Sequence, residues 1–124
     1  SDAMIPDPVV RFVRSTIKSV WALELLLLIR RTAPREWTVE ELTAALRSSP
    51  LIVTELLSAF ERSGIVQARD EHYRYAVSNP EQEELIRDVE RIYRERPFAL
   101  IRAIISAPNE KILTFADAFK LKKD

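Results

Sequence analysis

Apolar residues recur at helical spacing along most of this chain, with one short interval in which they alternate. Val9, Val13, Ile17 and Val20 fall three and four residues apart, on one face of a helix expected from about Val9 to Arg31. From Trp21 onward that helix is apolar on nearly every side, which implies burial all round. A break between Ser15 and Ser19 stays open at this point. Pro34 closes the first helical region.

Thr38-Val39-Glu40-Glu41 then has the form of a capping box. The Thr38 hydroxyl can accept from the Glu41 amide, and the Glu41 carboxylate can reach back. Trp37 and Leu42 stand at the two positions of a hydrophobic staple, and the helix ends near Arg47. Ser49-Pro50 reads as a second cap with proline at the first helical position. Ile52, Val53, Leu56, Leu57 and Phe60 form the expected buried stripe, leaving Pro50, Thr54, Glu55, Ser58, Glu61 and Arg62 outward. Gly64, the sole glycine, stands where a left-handed terminator is needed.

Two short strands are expected next, Ile65 to Arg69 and His72 to Val77, the second alternating Tyr73, Tyr75 and Val77 with His72, Arg74 and Ala76. Asp70-Glu71 lacks Asn-Gly chemistry, so a loop longer than two residues is expected between them. Asn79-Pro80 caps a helix to about Arg96, with Leu85, Val89 and Ile92 along one face. A short helix with Phe98, Leu100, Ile101, Ile104 and Ile105 follows, then a third from about Asn109 with Ile112, Leu113, Phe115, Ala116 and Phe119.

Composition narrows the classes. The chain has 124 residues, 47% hydrophobic and 31% charged, enough for one core without covalent staples. The run Val20 to Ile29 is too short to span a bilayer, so no membrane is expected as a partner. Without cysteine, disulfides and thiolate metal sites are excluded, which fits a cytoplasmic location.

The order of short capped helix, tight turn, second helix, glycine and hairpin resembles the winged helix-turn-helix of bacterial transcriptional regulators, broadly the MarR, ArsR and PadR groups. Trp37 to Leu46, Ser49 to Phe60 and Phe60-Glu61-Arg62-Ser63-Gly64-Ile65-Val66 carry the likeness, which covers residues 35–77. It implies a mainly α fold: a winged helix-turn-helix with a two-stranded β wing and additional N- and C-terminal helices. Residues 4–34, 35–77 and 78–124 would then be three parts of one compact domain.

The resemblance also implies a double-stranded DNA partner, with the second helix of the pair in the major groove and the wing on the flanking backbone. Carried over by position, Ser49, Pro50, Leu51, Thr54, Glu55 and Ser58 would face base edges. Ser48, Ser49 and Thr54 would donate to phosphates. Arg69, His72 and Arg74 would be the wing contacts, with Arg47 and Arg62 flanking the helix.

Charge bears on this expectation. The whole chain is neutral, and residues 35–77 hold five basic against seven acidic side chains, a net of −2. Neutralised phosphates supply most non-specific DNA affinity, so a module that docks on another protein stays beside the DNA reading. Residues 1–34 are net +2, through Arg11, Arg14, Lys18, Arg30 and Arg31 against Asp2, Asp7 and Glu24; a solvated helix face accounts for them. On the helix from Pro80, Glu83–Arg87 and Glu90–Arg94 attract at helical spacing while Glu84–Asp88 repel, again as a solvated face.

The helices outside residues 35–77 suggest a homodimer, as small regulators of this kind pair in register with the two halves of an operator. Catalysis is not expected: His72 is the single histidine, and no metal ligand set, cofactor motif or phosphate-binding glycine loop is present. Trp21, Phe98, Phe115 and Phe119 are the aromatics available to line an effector pocket, although aromatics at such spacing usually serve as core.

Overall fold

The helix starts expected at Thr38, Ser49 and Asn79 are all capped by side chains in the computed structural model, which describes residues 5–105. The chain is mainly helical, with one two-stranded antiparallel hairpin. The expected helix from Asn109 lies outside the described residues.

The long first helix is broken. Helix α1 (Asp7–Phe12) runs into a π-helical turn, Val13–Ile17, and helix α2 begins afresh at Val20–Arg31. Lys18 terminates the turn with φ 69°, its amide donating to the Val13 carbonyl oxygen at 2.7 Å. Ser19 recaps the chain by accepting from the Ala22 amide at 3.1 Å. The break keeps Val9, Val13 and Ile17 in the core while redirecting α2, whose Ala22, Leu23, Leu25, Leu26, Leu27 and Ile29 are buried on several sides. Trp21 departs from that pattern and stays 41% exposed.

Helix α3 (Val39–Leu46) carries both halves of its capping box: Glu41 N donates to Thr38 Oγ1 at 3.1 Å, and Thr38 N to Glu41 Oε1 at 2.9 Å. The staple residues Trp37 and Leu42 are both buried. The helix closes through Arg47, at φ 53°, with Arg47 N bonded to the Ala44 carbonyl and Ser48 N to the Thr43 carbonyl. That pair of bonds is a Schellman closure in which an arginine takes the position glycine prefers.

Helix α4 (Pro50–Arg62) follows after three residues, the last of them its cap Ser49, whose Oγ accepts from the Ile52 amide at 3.3 Å. Its core stripe is Val53, Leu57 and Phe60, with Leu56 half-buried. Ile52 was expected in that stripe and is instead 37% exposed, because it stands about 100° round the helix from Val53. Gly64 ends α4 at φ 77°, with Gly64 N bonded to Glu61 O and Ile65 N to Phe60 O, a second Schellman closure. Phe60 and Ile65, the apolar pair of that motif, are both buried.

Strands β1 (Val66–Arg69) and β2 (His72–Tyr75) pair antiparallel in the register Val66 to Tyr75 and Arg69 to His72. The link between them is two residues, not the longer loop expected. Asp70 and Glu71 both take positive φ, 51° and 62°, the geometry whose twist matches that of the strands. Strand pairing, including Arg74 Nη2 donating to Gln67 Oε1 at 2.6 Å, holds the tight turn despite residues that disfavour it. Trp37 adds a rung on the far side of β2, exchanging two 2.8 Å backbone hydrogen bonds with Tyr73.

Helix α5 (Pro80–Glu95) is capped by Asn79 Oδ1, which accepts from the Glu81 and Gln82 amides. It buries Ile86, Val89 and Ile92, while the expected Leu85 is half-buried at the edge of that seam. The seam packs on α1, within the first helical region. Helix α6 (Pro97–Ile105) buries Leu100, Ala103 and Ile104, joining a core that extends without interruption to Ile5.

Two of the charges read as solvated on α5 point inward. Glu83 and Glu90 both bond to Arg30 of α2, at 2.7 and 3.2 Å, so Glu90 pairs with α2 and not with Arg94. Glu83 also meets Arg87 at 3.8 Å, as its spacing implied. Glu84 and Asp88, four apart and alike in charge, are separated by pairing with Arg87 and Arg91.

Candidate nucleic-acid interface

The residues expected to contact a ligand belong to α4, the turn before it and the hairpin after it. Ser49 caps α4, which leaves its oxygen committed as an acceptor while its proton is free to donate outward. Thr54 and Glu55 are exposed at mid-helix and Ser58 is half-buried one turn on. These three share a face with Leu51, since positions 51, 54, 55 and 58 repeat at helical spacing.

Ser48 does not belong with them. Its hydroxyl oxygen is buried and, among the described residues, has no hydrogen-bond partner, so it cannot donate to a phosphate. The Schellman closure turns Ser48 inward by binding its amide to the Thr43 carbonyl. Thr43 Oγ1 is buried and unpartnered in the same way.

Arg47, Arg62 and Arg69 are exposed and enter no ion pair among the described residues. Arg74 is half-buried and tied to Gln67, which fixes its stem against the hairpin. His72 Nδ1 donates to the Asp70 carbonyl oxygen at 2.8 Å, bracing the tight turn.

One cation that the sequence assigned to mere solvation takes a different place. Lys18, exposed at the break before α2, lines a groove of about 270 Å³ together with Arg62, Ser63, Ser15, Thr16 and Ser19. Among the described residues, no carboxylate lines this groove. The possible break at Ser15 to Ser19 was the only sequence signal that Lys18 might leave the α2 helix face. Its approach to the end of α4 is tertiary.

Arg30, another of the five N-terminal cations, is withdrawn from any outward role. Its guanidinium binds Glu83, Glu90 and, at 2.8 Å, the Tyr75 hydroxyl, and lies 5.6 Å from the Tyr75 ring centroid. Burial opposes its charge, but the hydrogen bond to Glu83 and the other contacts outweigh burial and raise its pKa. This cluster fastens β2 to α2 and α5 and so fixes how the hairpin is presented. At the other edge, Arg35 stacks 3.5 Å above the Trp37 ring, and the Trp37 indole donates to Thr32 Oγ1 at 3.0 Å. The Glu41 carboxyl is held below its usual range, first by its hydrogen bond from the Thr38 amide.

Of the aromatics considered for an effector pocket, Trp21 and Phe98 are exposed, Phe98 at 77%. Phe115 and Phe119 lie outside the described residues. Among the described residues, no cluster of three or more His, Cys, Asp or Glu is placed to hold a metal, and no helix is long and apolar enough to cross a membrane. In comparisons with known proteins, no family model, curated protein or solved structure matches the chain.

Proposed function

We propose that this chain is a DNA-binding transcriptional regulator that uses residues 35–77 as a winged helix-turn-helix, with α4 as the recognition helix and β1–β2 as the wing. It acts in the cytoplasm on double-stranded DNA, without catalysis or cofactor. The observation that carries the reading is the distribution of uncommitted cations. Among the described residues, Arg47, Arg62 and Arg69 border α4 and the hairpin without ion pairs, and Lys18 joins Arg62 in a groove that no carboxylate lines. On the α2–α5 side, by contrast, Arg30, Arg31, Arg87 and Arg91 are paired with carboxylates, and of the α5 arginines only Arg94 is left without an ion pair among the described residues. Arginines left unpaired beside an exposed helix are available to phosphates.

The working form is a homodimer. Helix α6 leaves Phe98 and Ile105 exposed, and α2, against which it packs, leaves Trp21 partly so. Apolar residues of that size in water favour covering by a second copy. The competing reading, a module that docks on another protein, draws on the net charge of −2 over residues 35–77 and on Leu51, 68% exposed at the head of α4.

Selection of the purified protein against random-sequence duplexes, at low and at physiological salt, tests the proposal. A roughly palindromic site should be enriched and should bind more weakly as salt rises. Lys18→Ala and Arg62→Ala should each reduce the slope of log affinity against log salt by about 1. Absence of duplex binding even at low salt would overturn the reading.

A further inference from the structure

Leu51 occupies the first turn of α4, immediately after the Ser49 cap and Pro50, on the face that also carries Thr54, Glu55 and Ser58. It is 68% exposed, and Ile52 beside it is 37% exposed. Burial stabilises a leucine side chain, and at Leu51 most of that gain is forgone in the free protein. The helix did not need an apolar residue here for its own packing, since Val53, Leu57 and Phe60 already supply its core contacts.

A recognition helix in the major groove meets base edges that are almost wholly polar. The exception is the thymine 5-methyl group, which an aliphatic side chain distinguishes by contact alone. Leu51 has no side-chain donor or acceptor, so whatever it discriminates it must discriminate by apolar contact. Thr54 and Glu55, about one turn further on, provide the polar readout. Leu51 and Ile52 are the only large apolar side chains exposed on α4, and they adjoin the polar Thr54, Glu55 and Ser58. So small an apolar spot on a polar face suits a methyl contact within a larger polar footprint.

We propose that Leu51, flanked by Ile52, selects thymine in each half-site by contact with the 5-methyl group. This rests on the DNA-binding reading above and adds to it the base that the head of α4 recognises.

Uracil provides the test, because it removes the methyl group and keeps every hydrogen-bonding group of thymine. In the duplex enriched by selection, each thymine is replaced singly by uracil and binding of the full chain is measured. One thymine position, or its symmetry-related pair, should weaken wild-type binding about fourfold, the worth of one buried methyl. Leu51→Ala should bind the thymine and uracil duplexes equally, and Leu51→Met should retain the discrimination. If uracil is silent at every position while the wild type still binds its site selectively, the inference is overturned and the DNA-binding reading stands. If no duplex is selected at all, both fall, and the Leu51 face is then assigned to a protein partner. The wild-type uracil series decides the matter even if a Leu51 variant folds poorly.

Discussion

The Tyr75 hydroxyl donates to Glu83 Oε1 across 2.6 Å, linking the returning strand of the hairpin to the first turn of α5. Arg30 closes the arrangement from α2, with one guanidinium nitrogen 2.7 Å from Glu83 Oε2 and 2.8 Å from the same hydroxyl. Three elements are held by one partly buried polar cluster that reaches from residue 30 to residue 83, so the angle of the hairpin depends on groups outside α4. Removing one member leaves another partly buried polar group short of a partner, which costs more than the lost bond contributes when the cluster is complete.

The cluster sets limits of stability on pH. Burial pushes the Glu83 carboxyl up, but the hydrogen bonds from Tyr75 and Arg30 outweigh it and hold the group below its ordinary value of 4.5. A depressed folded value means that the stabilisation is complete above pH 4.5 and lost as the pH falls through that folded value. The Tyr75 hydroxyl moves the other way, raised above its ordinary 10.0 by burial and then by the bond to Glu83. Its contribution is intact below pH 10.0 and declines as the pH rises toward the folded value. Denaturant melts across pH should therefore show both limbs. Glu83→Gln should lower stability by about 1–3 kcal/mol at neutral pH, the buried-pair cost discounted for partial exposure, and shrink the acid limb. An acid limb of unchanged size in that variant would show that other carboxylates set it.

The hairpin turn holds unused stability. Asp70 and Glu71 both sit at positive φ, where a side chain is disfavoured and Asn-Gly is preferred. Glu71→Gly should raise stability by about 1 kcal/mol. The expected readout is a higher melting temperature, with the hairpin register retained in cross-strand NMR contacts. A fall in melting temperature would mean that the Glu71 side chain holds the turn.

Arg47 should separate stability from binding. Its left-handed backbone, φ 53°, suits glycine, so Arg47→Gly is expected to stabilise the turn between α3 and α4 by about 1 kcal/mol. The same change deletes a cation beside α4 and, on the proposed function, should weaken duplex binding while flattening its salt dependence. Thermal melts and salt titrations on one variant would then move in opposite directions. Binding that is unchanged would remove Arg47 from the interface.

Ser48 and Thr54 are two hydroxyls with opposite expectations. The Ser48 oxygen is buried without a partner among the described residues, and such a group costs about 1–3 kcal/mol of desolvation. Ser48→Ala should therefore be neutral or stabilising and leave duplex affinity untouched. Thr54→Ala, on the exposed face, should leave stability within about 0.5 kcal/mol and lower affinity. A Ser48→Ala protein that folds normally but loses duplex binding would contradict the placement of its hydroxyl.

Ser49 and Gly64 could be assigned from sequence because each acts within its own turn. A cap accepts from an amide three residues on, and a Schellman closure bonds across five, so local chemistry suffices to place both. The margins of the buried stripes on α4 and α5 are not set by periodicity. Ile52 and Leu85 are apolar and near the buried stripe, and only the facing elements decide which flank of a helix is covered. The length of the hairpin turn was misread because residue preference at Asp70-Glu71 was opposed by strand pairing, and pairing prevailed.

By itself the sequence determined the local architecture: capped α3 and α4, the closing glycine, a hairpin and the flanking helices. These follow from spacings of two to seven residues, within which backbone hydrogen bonds and side-chain periodicity operate. Only the tertiary structure decided that Glu90 would pair with Arg30, 60 residues away. It likewise decided that Trp37 would extend the sheet through Tyr73, that Ser48 would turn inward, and that Lys18 would come beside Arg62. The physical reason is that a charge or a hydroxyl carries no periodic signature of its partner. Where it points is settled by how the apolar faces of distant segments pack, and polar groups then pair with whatever that packing brings within reach.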